Sequence, residues 1–265
     1  TFAVYAPAAT RVQLEIYPEA LGATASAVFL PARGADGIWR ARLGGLEPGA
    51  LVGFRVWGPN WPYDEAWTPG SDAGFIADFD EQGNRFNPNK VLFDPYSREI
   101  THNVYTDALG RLGVNDGVLG TGGELVDGVP RRRIDTAPYA PKGIVIAESA
   151  APADKPQLPP EQAIIYEAGV TQLTGHPSAA RLADLLAGEP GFEGVTDIPA
   201  QYQGTYKGAG LLAPYLKAAG VTTVELLPVH ETNASETGRA GATNAWGYMT
   251  LSFFAPNRRY AADKS

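Results

Sequence analysis

Short runs of β-forming residues separated by turn residues fill the first part of the chain. In the run Arg11–Tyr17 polar and apolar residues alternate, which is the period of a strand with one buried face. Turns are expected at 34–37 and 47–49, where glycine and proline interrupt the pattern. The predicted strands span residues 1–5, 11–17, 27–30, 38–43 and 51–57. Short strands at this spacing are typical of a small β-sandwich, which we assign to residues 1–103.

A helical period appears in the last third of the chain. The apolar run 163–170 has the length of a buried parallel strand, and residues 179–186 are predicted to form a short helix. A second helix should begin near Leu211 and end at Gly220. Its apolar residues share one face at helical spacing: Leu211, Leu212, Tyr215, Leu216 and Ala219. The run 221–229 is then a second strand, and this order predicts a parallel βαβ unit.

The middle of the chain lacks a clear period. Residues 104–162 are rich in Gly, Asp and Pro and are expected to form a linker that wraps the surface, with one short strand at 142–146. Residues 85–96 are dense in Pro and Asn, which predicts an irregular connection held by side-chain to backbone hydrogen bonds. The basic run 131–133 is interpreted as a turn with local salt bridges. Residues 78–84 resemble the start of a calcium loop but lack its final Glu, so an Asx turn is expected.

Composition excludes several classes of protein. The 265 residues carry a formal net charge of -8, and an acidic surface repels phosphate backbones, so no nucleic-acid partner is expected. There is no apolar run of about 18 residues, which excludes a membrane span of the usual kind. The absence of cysteine excludes disulfides, thiolate metal sites and a cysteine nucleophile. The chain begins at Thr1 inside a strand-like run, so we expect further residues before it.

Aromatic residues cluster at the end of the predicted sandwich. Trp57, Trp61 and Trp67 lie close together in sequence, with Tyr63 among them. Flat aromatic faces suit pyranose rings, so the cluster could be a sugar-stacking platform. The same residues could instead pack the sandwich against its surroundings. Both interpretations stand at this point.

Several strings in a fixed order give the chain a resemblance to a known family. The chain resembles the bacterial isoamylases, the debranching branch of the α-amylase clan, over nearly its whole length. The matching strings are 56–63 (VWGPNWPY), 85–90 (RFNPNK), 140–143 (APKG), 198–206 (IPAQYQGTY), 224–231 (VELLPVHE) and 246–249 (WGYM). The resemblance implies an immunoglobulin-like β-sandwich of the starch- and glycogen-binding type, followed by the first part of a (β/α)8 TIM barrel at 163–265.

The resemblance also implies roles for individual residues. Tyr248, in the loop with Trp246, corresponds to an aromatic residue that stacks on the sugar beside the scissile bond. Calcium ligands of secreted isoamylases correspond to a set on three segments, namely Asn103, Glu231, Thr232, Asn233 and Asn257. At 103 and 257 the family has Asp, and calcium affinity depends on the number of charged oxygen ligands. The alternative is that Glu231 and Thr232 orient loops without a metal.

The implied activity is hydrolysis of α-1,6 branch points in glycogen or amylopectin with retention. Such a reaction needs two carboxyl groups about 5–5.5 Å apart, and in this clan they follow later barrel strands. No catalytic carboxylate is therefore expected in this chain, and those of the parent enzyme are expected beyond Ser265. The chain alone should be inactive, and neither Glu225 nor Glu231 is a replacement. Where the family has His and Arg in its first strand, this chain has Gly169 and Thr171, and a glycine inside the strand is expected to weaken its pairing.

Other interpretations remain open. The chain could be a non-catalytic glucan-binding protein derived from such an enzyme, or a branching or trehalose-releasing enzyme of the same clan. The implied partner in the first two cases is an α-glucan. Two barrel strands alone leave an uncovered apolar face, so further chain or a partner chain is expected to cover residues 163–265. The resemblance favours an extracellular location without fixing the compartment.

Overall fold

The computed structural model describes residues 1–103, 119–147, 156–233 and 244–263. They divide into two compact units, one formed by Thr1–Glu148 with Ser252–Ala255 and the other by Ser149–Leu251 with Pro256–Ser265. Within the described ranges, no helix has both the length and the apolar character needed to cross a bilayer.

Two antiparallel sheets build the first unit. One has the strand order β1-β5-β4 and the other the order β3-β2-β6-β9, and β7 and β8 form a separate hairpin. The strands are β1 (Phe2–Tyr5), β2 (Arg11–Tyr17), β3 (Ala27–Phe29), β4 (Ala32–Arg33), β5 (Ile38–Ala41), β6 (Leu51–Trp57), β7 (Leu125–Val126), β8 (Val129–Pro130) and β9 (Gly143–Ile144). The predicted strands are confirmed, with small shifts at their ends, whereas β4, β7 and β8 were not predicted.

A single hydrophobic core joins the two sheets. Val12 and Leu14 of β2 and Phe54 of β6 lie in one buried cluster with Trp39 of β5, and Val4 of β1 packs against it. Because inward residues of both sheets meet in this cluster, the unit is a β-sandwich. The alternating pattern of β2 therefore has its predicted consequence on this side.

The opposite face of β2 is covered as well, which the alternation did not predict. Glu15 is only 3% exposed and accepts a hydrogen bond from the Tyr17 hydroxyl. The Arg55 guanidinium lies between two carboxylates, with its Nε 2.7 Å from Glu15 Oε1 and its Nη1 2.8 Å from Asp135 Oδ1. The expectation of an exposed polar face is wrong here, because Asp135 belongs to a later segment that lies over the sheet.

The covering layer consists of residues 85–96 and 131–142. Lys90 Nζ donates to the carbonyls of Arg131 and Ile134 at 2.8 and 2.9 Å, and Lys142 Nζ donates to Ala20 O at 3.0 Å. A side chain at Gly53 would come within 2.7 Å of Val91, so this glycine permits the close approach. Buried lysines thus join two irregular segments to the sandwich through backbone carbonyls.

Several loop interpretations of the first unit are confirmed. Trp57 and Trp61 are 0% and 1% exposed, so they offer no face to a sugar, and the packing interpretation holds for both. The Asp80 carboxylate accepts from the backbone nitrogens of Gln82 and Asn84, as an Asx turn requires. The three arginines at 131–133 form a 3-10 turn, and salt bridges link Arg131 to Glu124 and Arg132 to Asp78.

The second unit contains a parallel βαβ arrangement. β10 pairs in parallel with β11, from Ile165 opposite Thr223 to Ala168 opposite Leu226. The elements are β10 (Ile165–Ala168), α1 (Val170–Thr174), α2 (Leu182–Leu185), α3 (Tyr206–Leu211), α4 (Ala213–Ala218), β11 (Thr223–Leu226), β12 (His230–Thr232) and β13 (Thr250–Pro256). Short 3-10 turns occupy 160–162, 177–181, 200–202 and 258–260. The second predicted helix corresponds to α4, whereas α3 before it was not predicted, and Gly220 follows α4 with φ +89°.

The predicted first strand differs from the observed one. The strand ends at Ala168, Gly169 is the N-cap residue of α1, and Val170 lies in the helix. Gly169 therefore does not weaken strand pairing, contrary to expectation. β10 and β11 are also not buried, since Ile165 is 60% and Val224 40% exposed.

Replacing Arg55 with alanine should destabilise the sandwich strongly. The change would leave the buried Glu15 carboxylate without its cation, and breaking a buried pair in this way costs about 3–5 kcal/mol of unfolding free energy. The measurement is urea denaturation followed by tryptophan fluorescence, which reports mainly on this unit. The matched control is Arg40→Ala, which removes the exposed pair with Asp36 and should leave the midpoint almost unchanged. Equal small shifts in both variants would contradict the assigned role.

The sandwich should become more stable as the pH rises above 8. Burial lowers the pKa of Lys90 and of Lys142 to about 8, from 10.5. Between these values the unfolded chain binds more protons than the folded one, so the unfolding free energy rises with pH. Burial raises the pKa of Tyr17, so this gain should reverse above about pH 10. Urea midpoints at pH 7, 8, 9 and 9.5 test this, and Lys142→Met should reduce the rise; a midpoint that falls over this range would refute it.

Candidate functional site

The site lies in the second unit, where the chain leaves β11. The carbonyl of Val229 accepts a hydrogen bond from Asn257 N at 2.7 Å and another from the Tyr206 hydroxyl at 2.9 Å. Burial raises the pKa of Tyr206 to about 12, so its hydroxyl keeps its proton at neutral pH and can donate. These bonds hold the residues after β11 against Asn257 and Tyr206, and they fix the position of the polar residues 230–233.

Four of the five residues matched to calcium ligands come together here. Glu231, Thr232, Asn233 and Asn257 are all buried. Glu231 Oε1 accepts from Arg258 N at 2.9 Å, and Asn257 Oδ1 accepts from Arg259 N at 3.1 Å. The fifth, Asn103, belongs to the first unit, where it is half-buried.

The donor set of this cluster does not fit a tight calcium site. Calcium takes 6–8 oxygen ligands and prefers several carboxylates, whereas Glu231 is the one carboxylate among the four clustered residues. The amide nitrogen of Asn257 donates to Thr232 Oγ1 at 3.2 Å, and an amide brings no negative charge to the cluster. No group of three or more His, Asp or Glu side chains suited to a metal occurs in the ranges that the structure describes.

The aromatic loop, residues 244–249, projects its two rings. Trp246 is 65% and Tyr248 58% exposed, so both rings have surface that a sugar could contact within this unit. Gly247 has φ +82°, and a Cβ at this position would come within 2.3 Å of the Pro228 carbonyl oxygen. Only glycine therefore lets the loop cross the end of the preceding strand so closely.

Sequence reasoning missed the residues that hold this loop. Asn244 is buried, and its Oδ1 accepts from Gly247 N at 3.1 Å. Arg259 donates from Nη1 to the carbonyl of Asn244 at 2.6 Å. An Asn three residues before a Gly is a recognisable signal for such a bond. The contact with Arg259 has no sequence signal, because the two residues come from separate segments.

The structure places Glu225 and Glu231 in different settings. Glu225 lies inside β11 and is exposed, with Glu167 of β10 opposite it in register. Glu231 is engaged by the backbone of the turn at 258–260. What the described part of this unit offers is therefore an exposed aromatic surface on a hydrogen-bonded base.

Among known proteins, isoamylases and a glycogen debranching enzyme are similar in sequence to this chain. The chain is 38% identical over 277 residues to an isoamylase of Pseudomonas amyloderamosa, and 39% identical over 278 residues to an isoamylase of Flavobacterium sp, in both cases with 100% of the chain and 32% of the relative aligned. It is 32% identical over 273 residues to a glycogen debranching enzyme of Erwinia tasmaniensis, covering 33% of that protein. The chain thus spans about a third of the length of these relatives. No family model matches it.

Solved structures share its fold. The chain aligns over 99% of its length with 28% of a pullulanase from Anoxybacillus sp. LM18-11, crystallised with maltotetraose, at a TM-score of 0.53 and 19% identity. It aligns over 99% with 31% of a pullulanase from Paenibacillus barengoltzii, crystallised with maltohexaose and α-cyclodextrin, at a TM-score of 0.55 and 18% identity. At 18–19% sequence identity, this structural similarity shows the fold alone.

Changing Asn257 to Asp should make the cluster depend on calcium. The new carboxylate would lose the N–H bond to Thr232 and lie near Glu231, so the melting temperature should fall in EDTA and recover in millimolar calcium. The unmodified protein should melt at the same temperature in both conditions. Asn257→Ala is the control, because it removes the hydrogen bond from Arg259 N to Asn257 Oδ1 without adding charge. This variant should be equally destabilised in EDTA and in calcium. A calcium-dependent melting temperature in the unmodified protein would refute the assigned metal independence.

Proposed function

Since this chain is homologous along its whole length to isoamylases and glycogen debranching enzymes, we propose that it is part of a glycoside hydrolase that cleaves α-1,6 branch points in glycogen or amylopectin. The observation that carries the proposal is the pair of exposed rings, Trp246 and Tyr248, on a loop fixed beside the end of a parallel strand. Ligands bind at such strand ends in α/β barrels.

The proposed chemistry divides between this chain and the rest of the protein. The aromatic loop supplies a stacking wall for a glucose unit near the scissile bond, with Tyr248 as the main contact. The nucleophile and the acid belong to the part of the protein that this chain does not cover. Two carboxyl groups about 5–5.5 Å apart would act there by double displacement with retention.

The first unit is proposed to be a sandwich of the starch- and glycogen-binding type. Its two packed antiparallel sheets support this, as do the pullulanase neighbours of similar fold. Sugar contact through Trp57 or Trp61 is not part of the proposal, because both rings are buried.

We propose that further chain covers the exposed apolar residues of β10 and β11 in the second unit. Ile165 and Tyr166 are neighbours on β10 and therefore lie on opposite faces, yet they are 60% and 48% exposed. Val224 and Leu226 of β11 are each 40% exposed. Apolar strands in this state favour association with more chain, and the remaining strands of a barrel are the proposed cover.

A non-catalytic glucan-binding protein is the second candidate. It is favoured by Gly169 and Thr171, which replace the His and Arg of the family pattern and lie in or beside α1. This candidate keeps the glucan as partner and removes the hydrolysis.

The test is digestion of amylopectin by the full-length protein, with release of linear chains as the measured product. Hydrolysis is expected, and Tyr248→Ala should lower kcat/KM about tenfold, a loss of about 1.4 kcal/mol. Tyr5→Ala, which removes an equally exposed ring from the first unit, should retain full activity. Binding of amylopectin without release of chains would favour the second candidate, and absence of both would refute the two together.

A further inference from the structure

The backbone on both sides of Tyr248 is held in an uncommon conformation. Gly247 has φ +82° and Met249 has φ +66°, so two left-handed residues bracket the ring. Glycine adopts this region freely, but for a residue such as methionine it is unfavourable. Strain of this kind persists only where the surroundings determine it, and it is concentrated at functional sites.

The side chain of Asn244 makes several of the hydrogen bonds that fix this backbone conformation. Its Oδ1 accepts from Gly247 N at 3.1 Å, while its Nδ2 donates to the carbonyl of Tyr248 and to that of Asn233 at 3.3 Å. One buried amide thus contacts the backbone of the loop on both sides of the turn. A further bond from Asn233 N to Met249 O, at 3.0 Å, closes the base of the loop.

Asn244 is itself held in place through its carbonyl group. Arg259 donates to its carbonyl, and the Arg259 guanidinium carbon lies 4.6 Å from the centre of the Tyr260 ring. Tyr260 is buried and meets Tyr206 edge to face at a centroid distance of 5.5 Å. The Tyr206 hydroxyl then returns to the Val229 carbonyl at the end of the strand region. A continuous set of contacts therefore links the aromatic loop to the rigid part of the unit.

We propose that Asn244 is a positioning residue for glucan binding, which holds Trp246 and Tyr248 in their stacking geometry at the cost of a left-handed Met249. The inference rests on the proposed function, since it concerns the same aromatic surface. Asn244 acts through the two rings and makes no contact with the sugar itself. A surface set in advance loses less conformational freedom on binding, which favours affinity.

The experiment compares two variants in the full-length protein, with maltohexaose as the probe in calorimetric titration and amylopectin in kinetics. Asn244→Ala frees the loop, so we expect a Kd for maltohexaose and a KM for amylopectin about tenfold higher, with a smaller change in kcat. Met249→Gly relieves the left-handed strain, so the melting temperature should stay the same or rise. Its affinity for maltohexaose should nevertheless fall, because the loop gains freedom.

These opposite signs separate positioning from plain structural support. Thr222→Ala is the matched control, because it removes a side-chain hydrogen bond in the same unit, from Ile164 N to Thr222 Oγ1, at the start of β11 and therefore at the end of the strand opposite the loop. It should lower the melting temperature and leave the Kd unchanged. If the unmodified protein binds maltohexaose and both loop variants bind it equally well, the positioning role is refuted. If the unmodified protein neither binds maltohexaose nor cleaves amylopectin, the proposed function fails and the positioning role with it.

Discussion

Buried backbone without regular structure must still satisfy its hydrogen bonds, and in this protein buried asparagine side chains meet much of that demand. In the first unit Asn60 accepts from Phe86 N and donates to the carbonyls of Ala77 and Phe86. Asn89 likewise binds the backbone of two loops that are distant in sequence. In the second unit Asn244 and Asn257 do the same around the aromatic loop and the turn after β13. An amide offers both a donor and an acceptor, so one side chain can hold two irregular segments together.

The first unit adds buried charge to this scheme. Arg55 lies between Glu15 and Asp135, and two lysines join carbonyls of the covering segments. Removing charges from water is expensive, and such a network is favourable only when its members are well paired. The arrangement therefore specifies which segment covers which face of the sheet more than it adds stability. The second unit uses the neutral amides of Asn244 and Asn257 close to its candidate site, together with the Glu231 carboxylate and the Arg259 guanidinium.

Local patterns in the sequence predicted much of the fold, and long-range contacts explain the remainder. β2 and β6 were predicted with their observed bounds, β2 from its alternation and β6 as a β-forming run after a turn. The run at 163–170 was assigned as one strand, yet Val170 begins a helix, since a short apolar run does not distinguish the two. Tyr248 and Trp246 were identified through a family resemblance. The buried contact between Arg55 and Asp135, and the left-handed Met249, depend on tertiary packing that no local pattern encodes.

The choice of amides around the aromatic loop has a consequence for the conditions under which it keeps its shape. Carboxylates lose their negative charge when protonated, and charged pairs weaken as ionic strength rises. The side chains of Asn244 and Asn257 neither titrate nor carry net charge. The hydrogen bonds from the Asn244 side chain to the loop would therefore keep their strength in acidic or saline surroundings, where bonds from a carboxylate and a metal ion would weaken.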